Sequence, residues 1–211
     1  MTRSDNCRVS DLSISSDNLT FTYEAKSLPY PIDTSYYDNE KHTQADALSV
    51  IPFMDEMNYE GLSVSGLSDG YYGLTIGGEF IGRFTARELE RGINMALLQN
   101  TPQYKQAMKI RQMNEERWLK ERKMREFYWV EYNLMRKTGM LWACNEAAVD
   151  TLRKYRPHDI FLQWNGALWL QYMHKGIRED CVNEQQDLVN QIYEQNKPIP
   201  LRIEIKKFTD L

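Results

Sequence analysis

Two hydrophobic rhythms divide the chain near residue 100. Before that point, short runs alternate polar and apolar positions with the two-residue period of a strand. Residues 6–12 and 19–25 are the first two such runs, and Asp17-Asn18 lies before the second. They read as antiparallel neighbours. Leu19, Phe21 and Tyr23 share one face of the second run, and Thr20, Thr22 and Glu24 share the other. Leu28-Pro29-Tyr30-Pro31 follows as an extended loop, because proline cannot donate to a ladder. Thr34 to Thr43 is polar and tyrosine-rich and reads as a surface excursion, and Ala45 to Val50 as a short helical turn ending before Pro52. A second β region begins with Leu62–Ser65, turns at Leu67–Gly70, and continues as a Tyr71–Ile76 strand. Gly77-Gly78 is a two-residue hairpin turn, and Glu79–Gly82 starts the return strand. Thr85 and Glu88 form a capping box opening a helix from Ala86 to about Leu98, with Leu89, Ile93, Ala96 and Leu97 inward.

Beyond residue 100 the period becomes helical. Asn100-Thr101-Pro102 is a start signal and Gly139 a stop signal, with no proline or glycine between them. Such a helix is roughly 50 Å long at 1.5 Å per residue, more than a small domain needs, so something must brace it. It carries two apolar stripes. Tyr104, Met108, Trp118, Leu119 and Trp129 fall on one side, and Ile110, Met113, Met124, Phe127, Leu134 and Met135 fall roughly opposite. One stripe suffices for one packing partner, so two stripes predict two. The Trp-containing stripe is assigned here to the intramolecular side and the other to a second copy or a further domain. Asn145–Tyr155 reads as a short helix broken by Pro157, and Asp159–Met173 as a buried aromatic segment. Ile177–Asn196 is the return helix of a hairpin, with Cys181, Leu188, Ile192 and Tyr193 as core positions. Leu201–Ile205 alternates cleanly and reads as a strand that rejoins the N-terminal sheet. The expected class is therefore α+β: a small antiparallel β subdomain with one covering helix over residues 1–100, then a long helical hairpin with a terminal strand over 101–211.

Charge and composition narrow the partners. The 211 residues carry a formal net charge of −4, and the charged stretch 114–126 alternates in sign, so a solvated, salt-bridged surface is expected and nucleic acid is not. No run of about 18 apolar residues exists, so no membrane span is expected. Met1–Val9 is polar and does not read as a signal peptide. Cys7, Cys144 and Cys181 are odd in number and far apart, which fits free thiols.

No motif for a cofactor, metal or catalytic site stands out. The glycines between Gly70 and Gly82 fit neither a dinucleotide fingerprint nor a phosphate loop, and hairpin geometry accounts for them. His42, His158 and His174 lack metal-ligand spacing to another histidine or cysteine. His158 precedes Asp159, but sequence neighbours are badly placed to orient one another. There is no nucleophile elbow, although a Ser-His-Asp site assembled from distant residues is a matter of geometry, not spacing. Aromatic rings are the remaining candidates. Tyr30, Tyr36, Tyr37, Tyr71 and Tyr72 suit either stacking on sugar rings or a core or interface role. Trp118, Trp129, Tyr71 and Tyr72 are taken as candidate binding residues.

Several segments in order resemble a known family. They are Leu19–Asp33, Val50–Asn58, Leu62–Leu67, Gly92–Ala96, Thr101–Ala107 and the Lys197-Pro198 region with the final strand. In order and spacing they resemble the region after the catalytic domain of bacterial GDSL-type (SGNH) hydrolases. The serine of that family arrives in a Gly-Asp-Ser block, and its aspartate and histidine in an Asp-x-x-His block. Neither block occurs in these 211 residues, so no catalytic residue is carried over. The resemblance implies a non-catalytic accessory module that braces or orients a hydrolase domain or mediates oligomerisation. Its partner would be that domain, in the same polypeptide or from a neighbouring gene, or a second copy of itself. It further implies a periplasmic or secreted location. Two other readings stand beside it: a carbohydrate-binding module with a glycan partner, and a self-contained esterase with an unrecognised triad.

Overall fold

The computed structural model describes residues 4–33 and 43–208. The expected surface excursion over 34–43 lies almost wholly outside the described residues, as do Tyr36, Tyr37 and His42. The architecture is α+β. The chain forms two compact units, one of Met1–Arg111 with Gln195–Leu211 and one of Gln112–Glu194.

The first unit is built on one antiparallel sheet. Its strands are β1 (Cys7–Ile14), β2 (Asn18–Ala25), β4 (Tyr71–Ile76), β5 (Glu79–Thr85) and β7 (Leu201–Lys207), in the order β1-β2-β7-β4-β5. A two-residue pair, β3 (Gly61–Leu62) with β6 (Ile93–Asn94), lies apart from it. The last strand sits at the centre, pairing with β2 through Phe21 opposite Ile203 and with β4 through Leu74 opposite Ile205. Period-2 alternation sets this register: Leu201, Ile203 and Ile205 are buried, as are Tyr72, Leu74 and Ile76. A one-residue slip would turn every one of these side chains to water. At the β4–β5 turn Gly77 and Gly78 take φ of 59° and 84°, the left-handed pair that a two-residue hairpin requires.

Three small helices belong to this unit: α3 (Ala86–Arg91) packs on the sheet's core, while α1 (Gln44–Ala47) and α2 (Phe53–Glu56) join a separate apolar cluster with Ile32 and Ala96. The capping box at Thr85 and Glu88 forms as expected, but the helix stops seven residues short of Leu98. Gly92 leaves helical geometry at φ 92°, β6 follows, and Met95–Leu97 is a 3-10 turn. Leu97 consequently points to solvent, whereas Leu89 and Ala96 are buried. The expected Leu62–Ser65 strand likewise shrinks to Gly61–Leu62, because its partner is β6 and not a neighbouring hairpin strand.

Side-chain amides and carboxylates tie the segments of this unit together. Asn94 accepts from the backbone N–H groups of Glu60 and Ala96 and donates to the carbonyls of Met54 and Asn58. Asn58 makes a reciprocal pair with the backbone of Tyr30, at 2.8 and 2.9 Å. Tyr104 donates to the Ile32 carbonyl at 3.0 Å, and Arg111 pairs with the buried Asp33. These ties use residues from the very segments that carry the family resemblance. Their visible role here is structural, since buried polar groups left without partners are costly.

The second unit is helical. It takes most of α4 (Pro102–Val130), which passes into a π-helical turn over Glu131–Met135, followed by α5 (Glu146–Tyr155), α6 (Ile160–Tyr172) and α7 (Lys175–Gln195). Phe127, Val130, Leu134 and Met135 of the first segment pack with Ala148, Leu152, Leu162, Trp169, Tyr172 and Cys181. The stripe assignment is therefore reversed at Trp118 and Leu119, while Tyr104 of the same stripe is buried and Met108 and Trp129 are half-buried. Met113, Met124, Phe127, Leu134 and Met135 are buried within the chain and Ile110 is half-buried, whereas Trp118 and Leu119 are exposed. Both stripes are apolar, so the choice rested on where α5–α7 lie, which periodicity does not encode. The Asp159–Met173 segment also differs from expectation. Leu162, Trp169 and Tyr172 are buried, but Ile160, Phe161 and Trp164 are exposed. Tyr193 on α7 is exposed as well, where a core position was expected.

Candidate functional site

A cleft lies beside the π-helical turn of the helical unit. About 360 Å³ in volume, it is lined from the first helix and its continuation by Trp129, Asn133, Leu134, Lys137 and Thr138. Its other wall comes from Tyr155, His158, Asp159 and Leu162, where α5 ends and α6 begins. Single π turns inside α-helices recur at functional sites, because the extra residue shifts the side chains that follow.

One buried carboxylate fixes this turn. Glu131 is almost inaccessible; its Oε1 accepts from the Trp169 indole and its Oε2 from the Trp142 backbone N–H, both at 2.8 Å. Trp142 adopts a left-handed φ of 63°, a conformation that costs a bulky residue and persists because its N–H is held. Glu131 was not singled out from the sequence. Nothing in its spacing signals burial, since both donors come from distant or irregular segments.

The cleft's polar groups fall into two sets. Asn133 donates to the Trp129 carbonyl at 2.9 Å, and Thr138 donates to the Leu134 carbonyl at 3.0 Å. Asp159 caps α6, accepting from Phe161 and Leu162 N–H groups through one oxygen. Its carboxylate thus serves the helix terminus and does not orient His158. Lys137 and His158 enter no hydrogen bond or ion pair among the described residues.

Of the four aromatic candidates, Trp129 is the one in the cleft. It is half-buried and rests against Phe161, with ring centroids 5.2 Å apart. Trp118 is exposed about three helical turns away on the same helix, with Arg125 over its ring at 5.8 Å. Tyr71 belongs to the β unit and is exposed, its ring covered by the Arg83 guanidinium at 3.9 Å. Tyr72 corrects the exposed reading: it is 2% accessible, faces the sheet's core, and donates its hydroxyl to the Ser68 carbonyl at 3.0 Å. Adjacent strand residues face opposite sides, so Tyr71 and Tyr72 could not share one surface.

Other chemistry is sparse. Cys144 Sγ and His174 Nδ1 lie 3.3 Å apart on the surface, a contact thirty residues apart in sequence that spacing did not reveal. Among the described residues, no group of three or more His, Cys, Asp or Glu could hold a metal ion. Serine hydroxyls of the described residues bond to backbone carbonyls, carboxylates, Cys7, Tyr72 and Lys207, and none to a histidine. No helix among the described residues is long and apolar enough to cross a membrane.

The helical unit is similar to a described C-terminal domain. Residues 108–197 match the family described as the diltiazem deacetylase C-terminal helical domain. The solved structure of a gut microbial diltiazem-metabolizing enzyme is similar to the whole chain, with a TM-score of 0.90 and 35% identity. That similarity covers 98% of this chain and 47% of the enzyme's, so the chain spans about half of the enzyme's length. No curated protein matches the chain.

Proposed function

We propose that this chain is a non-catalytic C-terminal module of a GDSL-type ester hydrolase, serving to brace or orient the hydrolase domain. One observation carries the reading: the chain aligns almost entirely with less than half of a diltiazem-metabolizing enzyme. The order of the family-like segments and the lack of Gly-Asp-Ser and Asp-x-x-His blocks in these 211 residues point the same way. A deacetylase removes an acyl group, which is the chemistry that a serine hydrolase domain would supply. The module's partner is then that domain, in the same polypeptide or encoded beside it, in the periplasm or outside the cell. The exposed Trp118 and Leu119 face would serve as one contact with that domain or with a second copy.

The experiment compares the 211-residue chain alone with a polypeptide joining it to the adjoining hydrolase domain, using p-nitrophenyl acetate. Buffer-level turnover by the chain and restored turnover in the joined protein is the expected result. Turnover by the chain alone that is abolished by a serine-directed phosphonate would instead establish the self-contained esterase. The carbohydrate-binding reading has lost part of its basis, since Tyr72 is in the core; glycan-array binding by the chain would revive it.

A further inference from the structure

We propose that the cleft between the π-helical turn and the start of α6 binds a small ring-bearing monocarboxylate. Independent of the hydrolase-module reading, the proposal rests on the cleft's own geometry. Its volume, about 360 Å³, is at the small end of ligand sites. Trp129, Tyr155 and Leu162 supply the cleft's apolar lining. The indole is held in advance by Phe161 against its ring, with centroids 5.2 Å apart. Pre-positioned aromatic walls lower the ordering cost of binding.

Charge selects the ligand's other end. Lys137 and His158 face the cleft without partners among the described residues. The flanking sequence is basic, with Arg136 beside Lys137 and with Arg153, Lys154 and Arg156 around Tyr155. Asp150 and Glu146 both lie against Arg153, which balances those charges, and Asp159 turns one oxygen to the α6 backbone N–H groups, leaving the Lys137 ammonium as the cleft's cationic group. A cationic end within an apolar cleft favours an anion carrying a ring. The anion is singly charged by this reasoning. Phosphate sites usually draw on an arginine fork or a free helix N-terminus, and here the α6 terminus is filled by Asp159 while Arg156 donates to the Gln163 carbonyl.

The test is calorimetric titration of the full chain with indole-3-acetate, and with its uncharged counterpart tryptophol. Saturable binding of indole-3-acetate is expected, with tryptophol about tenfold weaker, the loss of one charge-assisted contact. Lys137→Met should weaken indole-3-acetate about tenfold and leave tryptophol unchanged. Trp129→Ala should abolish both; because Trp129 is half-buried, circular dichroism must first show the variant folded, and Tyr155→Ala supplies a second wall variant. Tyr193→Ala, on exposed α7 surface, should bind like the parent. Failure to saturate up to about 10 mM, an affinity unchanged by Lys137→Met, or equal affinity for acid and alcohol would overturn the proposal.

Discussion

The β unit and the helical unit solve the same problem with different materials. In the β unit, nearly every segment outside the sheet is fastened by a side chain that meets several backbone groups, with Asn94 making four such bonds. Its apolar core needs only alternation on three central strands. The helical unit relies instead on large apolar side chains and one buried carboxylate, Glu131, for its irregular turn. It leaves Phe161, Trp164 and Trp118 in contact with water. The first unit likewise leaves Ile14, Val50 and Met57 exposed, so the contrast lies in how the irregular segments are held and not in how much apolar surface stays in water.

Deleting core volume in the helical unit should give the largest effect. Phe127→Ala removes a fully buried ring and is expected to cost about 3–5 kcal/mol, read by urea unfolding at the tryptophan signal of the helical unit. A loss under about 1 kcal/mol would mean that the helical unit's packing is far looser than its geometry. Next, Trp169→Phe leaves Glu131 buried without its indole donor. It should cost about 2–3 kcal/mol, more than the lost indole area would suggest. Pairing it with Glu131→Gln should recover part of that loss, because a neutral amide is cheaper to leave half-satisfied.

In the β unit the polar ties take the place of that carboxylate. Asn94→Ala should cost about 2–3 kcal/mol by exposing two backbone N–H groups and two carbonyls that no other side chain reaches. Hydrogen exchange should then rise at Glu60 and Ala96 before the central strands open. Unchanged protection at those two amides would show that the loop does not depend on Asn94.

A subtler difference concerns pH. Burial pushes the Glu60 carboxyl above its ordinary range, outweighing the hydrogen bonds from Tyr23 and Gln103 that favour its charged form. In the unfolded chain the group titrates near 4.5. Between that value and the higher folded one, the folded state holds a proton the unfolded state has released. Stability of the β unit should therefore fall as pH rises from about 4.5 through the folded-state value, then level off. Glu60→Gln should remove that slope and be the more stable protein at neutral pH. A parent protein whose stability rises over that interval while Glu60→Gln stays flat would contradict the sign. The smallest effect belongs to the exposed stripe: Trp118→Ala with Leu119→Ser should change the chain's own stability by under about 0.5 kcal/mol, while weakening association with a hydrolase domain if that face is the contact.

The sheet was legible because its information is local. Alternation at Leu19–Tyr23, Tyr71–Ile76 and Leu201–Ile205 names the strands, and Gly77-Gly78 names the turn, although the inward side of Tyr71–Ile76 was not read. The long helix was legible for the same reason, as a break-free run between Pro102 and Gly139. The candidate site was not. Trp129 was singled out for its side chain, but Lys137, Tyr155 and His158 had no reason to be grouped with it until the end of α5 was folded against the π turn. Glu131 looked like any surface glutamate, and Cys144 and His174 like unrelated residues.

By itself, then, the sequence determined the central strands, the long helix, their order and the α+β class, because backbone geometry converts a period of two or 3.6 directly into an element. Tertiary structure decided which residues of two equally apolar helix stripes are buried, where α3 gives way at Gly92, which aromatic rings remain in water, and which charges share a cleft. Those outcomes depend on which distant segment arrives opposite a given face. A side chain's free energy is settled by that neighbour, and no pattern within its own helix or strand contains it.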